Sequence, residues 1–222
     1  MRQPGKLITF EGPDGAGKTT QVNLTAAALR EEGYDVLVTR EPGGTRLSEA
    51  IRGILLDPAF KEMTPFAEAL LYAASRAQLV GEVVLPALGS GRVVLCDRFV
   101  DSSLAYQGYG RGLDLEMLRR INAPALRGIG AFLTILLDLE PGEGLRRAAK
   151  PEKMDRLEQE DLSFHRRVRD GYLALANQNP ERIKVVRAEG DPAGVQAGVM
   201  AYVSGFLRGR LQGAPFEIEV RG

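Results

Sequence analysis

Gly12-Pro13-Asp14-Gly15-Ala16-Gly17-Lys18-Thr19-Thr20, entered directly from the apolar run Leu7-Ile8-Thr9-Phe10, decides the fold. The stretch satisfies G-x-x-x-x-G-K-[ST], and its spacing has a physical reason. Glycines let the backbone curl so that successive N–H groups point at a phosphate. The helix opening at Lys18 adds unpaired N–H groups and its positive dipole end. Lys18 can then reach the β- and γ-phosphates, and the Thr19 hydroxyl can ligate Mg²⁺. A glycine-rich turn can match this pattern by chance, but here strand and helix stand where phosphate binding needs them. ATP binding by Gly12, Pro13, Asp14, Gly15, Ala16, Gly17, Lys18, Thr19 and Thr20 is therefore expected.

Further apolar runs follow at Val36–Thr39, Val93–Cys96, Phe132–Leu137 and Ile183–Val186. Their near-continuous apolar character suggests strands buried on both faces of a parallel sheet. Between and after them lie helical patterns at about 18–32, 46–56, 64–88, 115–126, 158–177 and 192–211. Strand and helix alternating five times predict an α/β fold, a five-stranded parallel sheet with helices on both faces. Ligands in such sheets bind beyond the carboxyl ends of the strands. No linker or repeat interrupts the pattern, so residues 1–222 read as a single domain.

Composition narrows the class further. The 222 residues are 44% hydrophobic, enough for one core and too few for two full domains. Lys+Arg and Asp+Glu balance at 29 each, which gives nucleic acid and membranes no general attraction, and neither is expected as a partner. The single cysteine, Cys96, excludes an intramolecular disulfide and a cysteine-cluster metal site. The single histidine, His165, excludes a multi-histidine metal site. No stretch approaches the roughly 18 apolar residues of a membrane span. The N-terminal residues enter a strand without the apolar segment of a signal peptide, so a cytoplasmic protein is expected.

Asp97 closes the strand Val93–Cys96, where a carboxylate can hold Mg²⁺ or its water shell; a helix cap or loop aspartate is the plainer alternative. The next residue is Arg98 rather than the glutamate that activates water in an ATPase. An arginine there suits clamping a second phosphate, hence transfer to an acceptor. Tyr72 and Arg76 stand four apart on a predicted helix and share a face. By themselves they read equally well as a core tyrosine with a solvated arginine, or as a ring for stacking beside a donor for a base carbonyl.

Taken in order, the phosphate loop, Arg40-Glu41-Pro42-Gly43-Gly44-Thr45, Leu70-Leu71-Tyr72-Ala73-Ala74-Ser75-Arg76-Ala77-Gln78, Asp97-Arg98-Phe99-Val100-Asp101-Ser102-Ser103-Leu104-Ala105-Tyr106-Gln107-Gly108 and Asp155-Arg156-Leu157-Glu158 closely resemble the bacterial thymidylate kinases. The resemblance runs from about residue 7 to 211. It implies ATP as donor to dTMP, giving ADP and dTDP for dTTP synthesis, with a mobile lid and a homodimer. It also implies that Tyr72 stacks on thymine, that Arg76 contacts the base O4, and that Ser103, Tyr106 and Gln107 surround base and sugar. Tyr106 would crowd a 2′-hydroxyl. Asp14 is implied at the sugar 3′-hydroxyl, with Glu41 supporting that end or the metal. Arg98, then Arg52, would hold the acceptor phosphate; Arg40 is the weaker choice, an ion pair with Glu41 being the bland reading. Thr19 and Asp97 are the metal candidates, and Lys18 and Arg98 the leading catalytic ones.

Pro13, Asp14, Gly15 and Ala16 include no arginine, so the resemblance implies a catalytic arginine from the lid, about residues 146–157. Arg156 and Arg147 are favoured there over Lys150 and Lys153, although such a charge run also reads as a solvated helix face. Residues 212–222 exceed the resemblance and carry no functional expectation. The competing readings are a kinase for another nucleoside monophosphate and a nucleotide switch or ATPase without an acceptor.

Overall fold

The computed structural model describes residues 5–148 and 154–216. Strands β1 (Lys6–Glu11), β2 (Val36–Arg40), β3 (Val93–Asp97), β4 (Leu133–Asp138) and β5 (Ile183–Arg187) form one parallel sheet in the order β2-β3-β1-β4-β5. The inner strands β3, β1 and β4 are buried almost throughout, which is why their sequences lack alternation. The edge strands β2 and β5 carry exposed positions.

Side chains alternate between two cores. Ile8, Phe10, Leu95 and Ile135 pack with helices α1 (Lys18–Glu31) and α9 (Pro192–Leu207) on one face. Leu7, Val94 and Cys96 pack with the end of α3 (Pro65–Leu79) on the other, and Leu136 packs there with α8 (Leu162–Gln178). The remaining helices are α2 (Arg46–Leu56), α4 (Leu85–Gly89), α5 (Val100–Ser103), α6 (Leu115–Asn122) and α7 (Pro141–Ala148).

The helix expected over 64–88 is present as a continuous helical run, Pro65–Gly89, with one wider turn inside it. α3 ends at Leu79, a π-helical turn spans Val80–Val84, and α4 follows. Pro86, which has no N–H to donate back along the helix, sits directly after this wider turn. The helix expected from Glu158 begins at Leu162, because Asp161 accepts the Phe164 N–H at 2.7 Å and caps it. Asp155 instead holds a turn, accepting the N–H groups of Leu157 and Glu158 at 2.9 Å each. α7 and the helical run after Arg98, which is α5 continued by a π-helical segment, Leu104–Gly110, lie outside the six helical patterns above.

Two devices fix the strand ends where the site lies. A Cβ added at Gly15 (φ 74) would fall 1.9 Å from the Gly144 carbonyl oxygen, so the phosphate loop lies directly against α7. Asp101 of α5 is wholly buried; it pairs with Arg182 at 2.6 Å and accepts the Thr134 hydroxyl at 3.0 Å, anchoring α5 to β4. Beyond α9, Ala214 pairs with Phe132 in an antiparallel bridge and Phe216 packs beside both cores of that face, giving the start of the tail a structural place.

Candidate active site

The loop after β1 curls beneath α1. Lys18 is buried, and its Nζ donates to the carbonyls of Gly12 (3.0 Å) and Pro13 (2.7 Å). Burial and the neighbouring Arg98 lower its pKa to about 8, against the pull of Asp14, Asp97 and Glu11. The Thr19 hydroxyl donates to Asp97 Oδ2 at 2.6 Å, joining the first turn of α1 to the end of β3. Among the described residues no group of three or more His, Cys, Asp or Glu could cage a metal by itself. A hydroxyl with one carboxylate nevertheless fits Mg²⁺, which takes few protein oxygens and fills its shell with phosphates and water.

Arg98 is the hub. Its backbone is left-handed (φ 67), rare outside glycine, and is held by its own N–H on Phe10 O (2.9 Å) and by the Phe99 N–H on Glu11 (2.7 Å). The guanidinium pairs with Asp14 and donates to Gly12 O (3.1 Å) and to the hydroxyls of Tyr106 and Tyr172 (3.2 Å each). Burial alone would raise the Asp14 carboxyl, but Arg98 and Lys18 outweigh it and hold the group below its usual range.

Two cavities meet at this hub. One, about 380 Å³, is lined by the phosphate loop, Asp97, Arg40 and Arg147. The other, about 180 Å³, is lined by Tyr72, Arg76, Ser103, Tyr106 and Gln107. Asp14, Glu41, Arg52 and Arg98 line both. The sequence candidates for the acceptor thus gather on one wall system, which meets the loop at Asp14; Arg40 alone lines only the loop side.

Arg76 is not a solvated charge. It is 1% exposed, pairs with Glu41, and donates hydrogen bonds to Glu41, Ser103 Oγ, Asn122 Oδ1 and Phe99 O. Burial pushes Glu41 up to about 7 against the Arg76 charge, and its Oε1 is buried without a protein partner. Arg40 lies on Glu49 (2.9 Å) rather than on Glu41, and Arg52 donates to Pro42 O at 3.0 Å.

The family model for thymidylate kinase matches residues 10–199. A thymidylate kinase of Pelotomaculum thermopropionicum is 56% identical over 185 residues, covering 83% of this chain and 86% of the relative. One of Deinococcus radiodurans is 58% identical over 184 residues, covering 83% and 89%. The chain belongs to the thymidylate kinase family. Among solved structures, thymidylate kinase of Ehrlichia chaffeensis superposes with a TM-score of 0.74 at 34% identity, covering 90% of this chain and 99% of that one.

Within this thymidylate kinase framework Arg147 and Arg156, the two arginines favoured for the catalytic role, have different partners. Arg147 of α7 lines the phosphate-loop cavity, steadied by Glu143 (2.9 Å) and the Ala188 carbonyl (3.0 Å). Arg156 lines neither cavity; it donates to Leu55 O (3.0 Å) and pairs with buried Glu68 at 2.5 Å. Lys150 and Lys153 lie outside the described residues.

Sequence reasoning missed Tyr172 and gave Glu11 no role. Glu11 is wholly buried and accepts from the Ser102 hydroxyl (2.6 Å) and the Tyr172 hydroxyl (2.9 Å), as well as from Phe99 N–H. The Tyr172 oxygen, which also accepts from Arg98, therefore ties that arginine to the end of β1. A charged residue ending an otherwise apolar strand was the one available signal for Glu11; Tyr172, on a distant helix, had none.

Burial and nearby Asp101 push Glu11 up to about 7, opposed by Ser102, Arg98 and Phe99; Lys18 is the other cation nearby. Below about 7 the carboxyl takes up a proton, loses acceptor capacity and loosens the Arg98 loop. Turnover should therefore fall on the acid side with a limb near 7, above the roughly 6 of a phosphate monoester itself. Tyr172→Phe removes a donor to the carboxylate, so it should raise that limb further and cut turnover about tenfold. A pH–rate profile with an unmoved limb would reduce Tyr172 to packing.

Proposed function

We propose that this chain transfers the γ-phosphoryl group of ATP to dTMP, giving ADP and dTDP for dTTP synthesis. The observation that carries the reading is the pair of cavities sharing Asp14, Glu41, Arg52 and Arg98: a phosphate loop on one side and a base-sized, aromatic-walled recess on the other. A hydrolase needs no such second chamber.

Phosphoryl transfer demands alignment and charge stabilisation more than a base. Lys18 and the loop N–H groups take the β- and γ-phosphates. Thr19 and Asp97 would hold Mg²⁺, which when bound neutralises charge across those phosphates. Arg98, with Arg52 behind it, takes the acceptor phosphate and brings its oxygen in line. That oxygen is already anionic near neutral pH, so no general base is required. Tyr72 stacks on the base; Arg76, Ser103 and Gln107 form its polar edge. The Tyr106 ring is pinned by its hydroxyl on Asp14 (2.9 Å) and Arg98, and so stands as a rigid obstacle to a 2′-hydroxyl. Asp14 faces the 3′-hydroxyl, with Glu41 behind it.

We assign the lid to about residues 146–157 and its acting cation to Arg147, which already faces the donor cavity. Arg147→Ala should lower turnover about a hundredfold with the melting temperature unchanged. Arg156→Ala should instead cost on the order of 2 kcal/mol of stability, because Glu68 is left with fewer partners in a buried place. Kinetics and thermal melts of the two variants separate these roles, and the reverse pattern would exchange them.

A homodimer through α2 and α3 is part of the same reading. These adjacent helices expose Leu47, Ile54, Phe66 and Leu70, more apolar surface than solvent favours. Among the described residues no helix is long and apolar enough to cross a membrane. We assign the enzyme to the cytoplasm, where a lone buried thiol such as Cys96 stays reduced.

The test is ADP formation with ATP and Mg²⁺ across dTMP, dUMP, dCMP, UMP, CMP, AMP and GMP, beside a control without acceptor. Turnover confined largely to dTMP is expected. ADP without acceptor, or preference for another nucleotide, would sink the reading.

A further inference from the structure

We propose that Glu68 selects the base indirectly: its buried carboxylate fixes the Gln107 amide with the carbonyl oxygen toward the acceptor cavity, so that the site takes a pyrimidine carrying N3–H and rejects one with a lone pair at N3. This deepens the thymidylate kinase reading and rests on the acceptor cavity described above.

Glu68 belongs to α3 and is wholly buried. Its Oε1 accepts from Gln107 Nε2 at 2.8 Å and from Arg111 Nε at 3.3 Å. Its Oε2 accepts from Arg111 at 3.2 Å and pairs with Arg156 at 2.5 Å. A carboxylate between two guanidinium groups offers acceptors and no donor. A glutamine amide has one donating and one accepting end, and by itself either can face a ligand. Against an acceptor-only neighbour the NH₂ end must turn to Glu68, and the opposite end, Oε1, is left for the cavity. Gln107 is 1% exposed and lines that cavity, and among the described residues no protein donor reaches its Oε1.

Neighbouring groups leave this task to Gln107. Arg76 is a donor in any state, so it cannot recognise N3–H. Gln107 is the one side-chain amide lining the cavity among the described residues. Thymine and uracil present a hydrogen at N3, which Oε1 accepts. Cytosine presents a lone pair, which would face Oε1 and leave two buried acceptors unpaired.

The inference predicts that dTMP selectivity depends on a residue that touches no substrate. Glu68 is thus a positioning residue. Its test is the ratio of kcat/KM for dTMP to that for dCMP, measured in wild type, Glu68→Gln, Gln107→Ala and Arg111→Lys. Glu68→Gln supplies a donor of its own, releases the Gln107 amide to turn, and should lower the ratio tenfold or more, chiefly through a higher KM for dTMP. Gln107→Ala removes the amide while Glu68 keeps both arginines, and should lower the ratio similarly even where Glu68→Gln folds poorly. Arg111→Lys perturbs the same ion cluster without freeing the amide, and should lower rates for both nucleotides with the ratio kept. A selective wild type whose ratio survives both Glu68→Gln and Gln107→Ala would overturn this inference alone. A ratio that falls equally in Arg111→Lys would make Glu68 a structural anchor and overturn it too. A wild type that does not prefer dTMP would sink the functional reading, and the inference with it.

Discussion

Lys18→Ala should lower kcat for phosphoryl transfer about 10³-fold while dTMP binding stays near wild type. The size follows from removing a preorganised cation from the position where charge moves in the transition state. The selectivity follows from geometry. Lys18 lines the phosphate-loop cavity and not the recess of Tyr72, Arg76 and Gln107. Folding should survive, because Lys18 itself lines the phosphate-loop cavity and its removal leaves only two backbone acceptors, the carbonyls of Gly12 and Pro13, without this donor. Steady-state ADP release and calorimetric titration of dTMP measure the two halves. A variant retaining a tenth of wild-type turnover would show that the loop lysine does not act on the transferring group.

Arg98→Ala should be comparably severe, with kcat/KM for dTMP falling about 10³-fold and ATP binding changing only severalfold. Arg98 lines both cavities, and its guanidinium also organises Asp14, Tyr106 and, through Tyr172, Glu11. Its left-handed backbone provides an internal control. Arg98→Gly suits φ 67 better than alanine does, so it should be the more stable variant. Equal loss of activity in the two, despite different melting temperatures, would locate the effect in the guanidinium. Recovery of activity in the glycine variant would instead trace the loss to loop strain.

Much of this was legible along the chain. The parallel sheet followed from apolar runs without alternation, which only strands covered on both faces can sustain. The phosphate-loop motif followed from one contiguous stretch, because a loop that offers backbone N–H groups to a phosphate needs only spacing. Helix edges were read less well where caps decide them. Asp161 and Asp155 are both acidic residues before a helical pattern, yet the structure makes one a cap and the other a turn.

Arg76 marks the limit of the linear reading. A donor on a helix face was visible, but its enclosure by Glu41, Ser103, Asn122 and Phe99 was not, since those partners come from three separate segments. Arg147 and Arg156 are separated by few residues and read as equivalent. The fold sends one against the phosphate loop and the other into a buried pair with Glu68. Tyr172 and Glu68 had no motif at all, because each acts through another side chain.

The sequence alone thus determined the sheet and the phosphate loop, since these depend on local spacing and on the hydrophobic pattern. Only the tertiary structure decided which way Arg98, Gln107 and the lid arginines point. Direction at Arg98, Gln107 and Arg156 is set by carboxylates, the buried Glu11 and Glu68 and the half-buried Asp14, brought in from far along the chain, and a hydrogen bond between distant segments leaves no spacing to read.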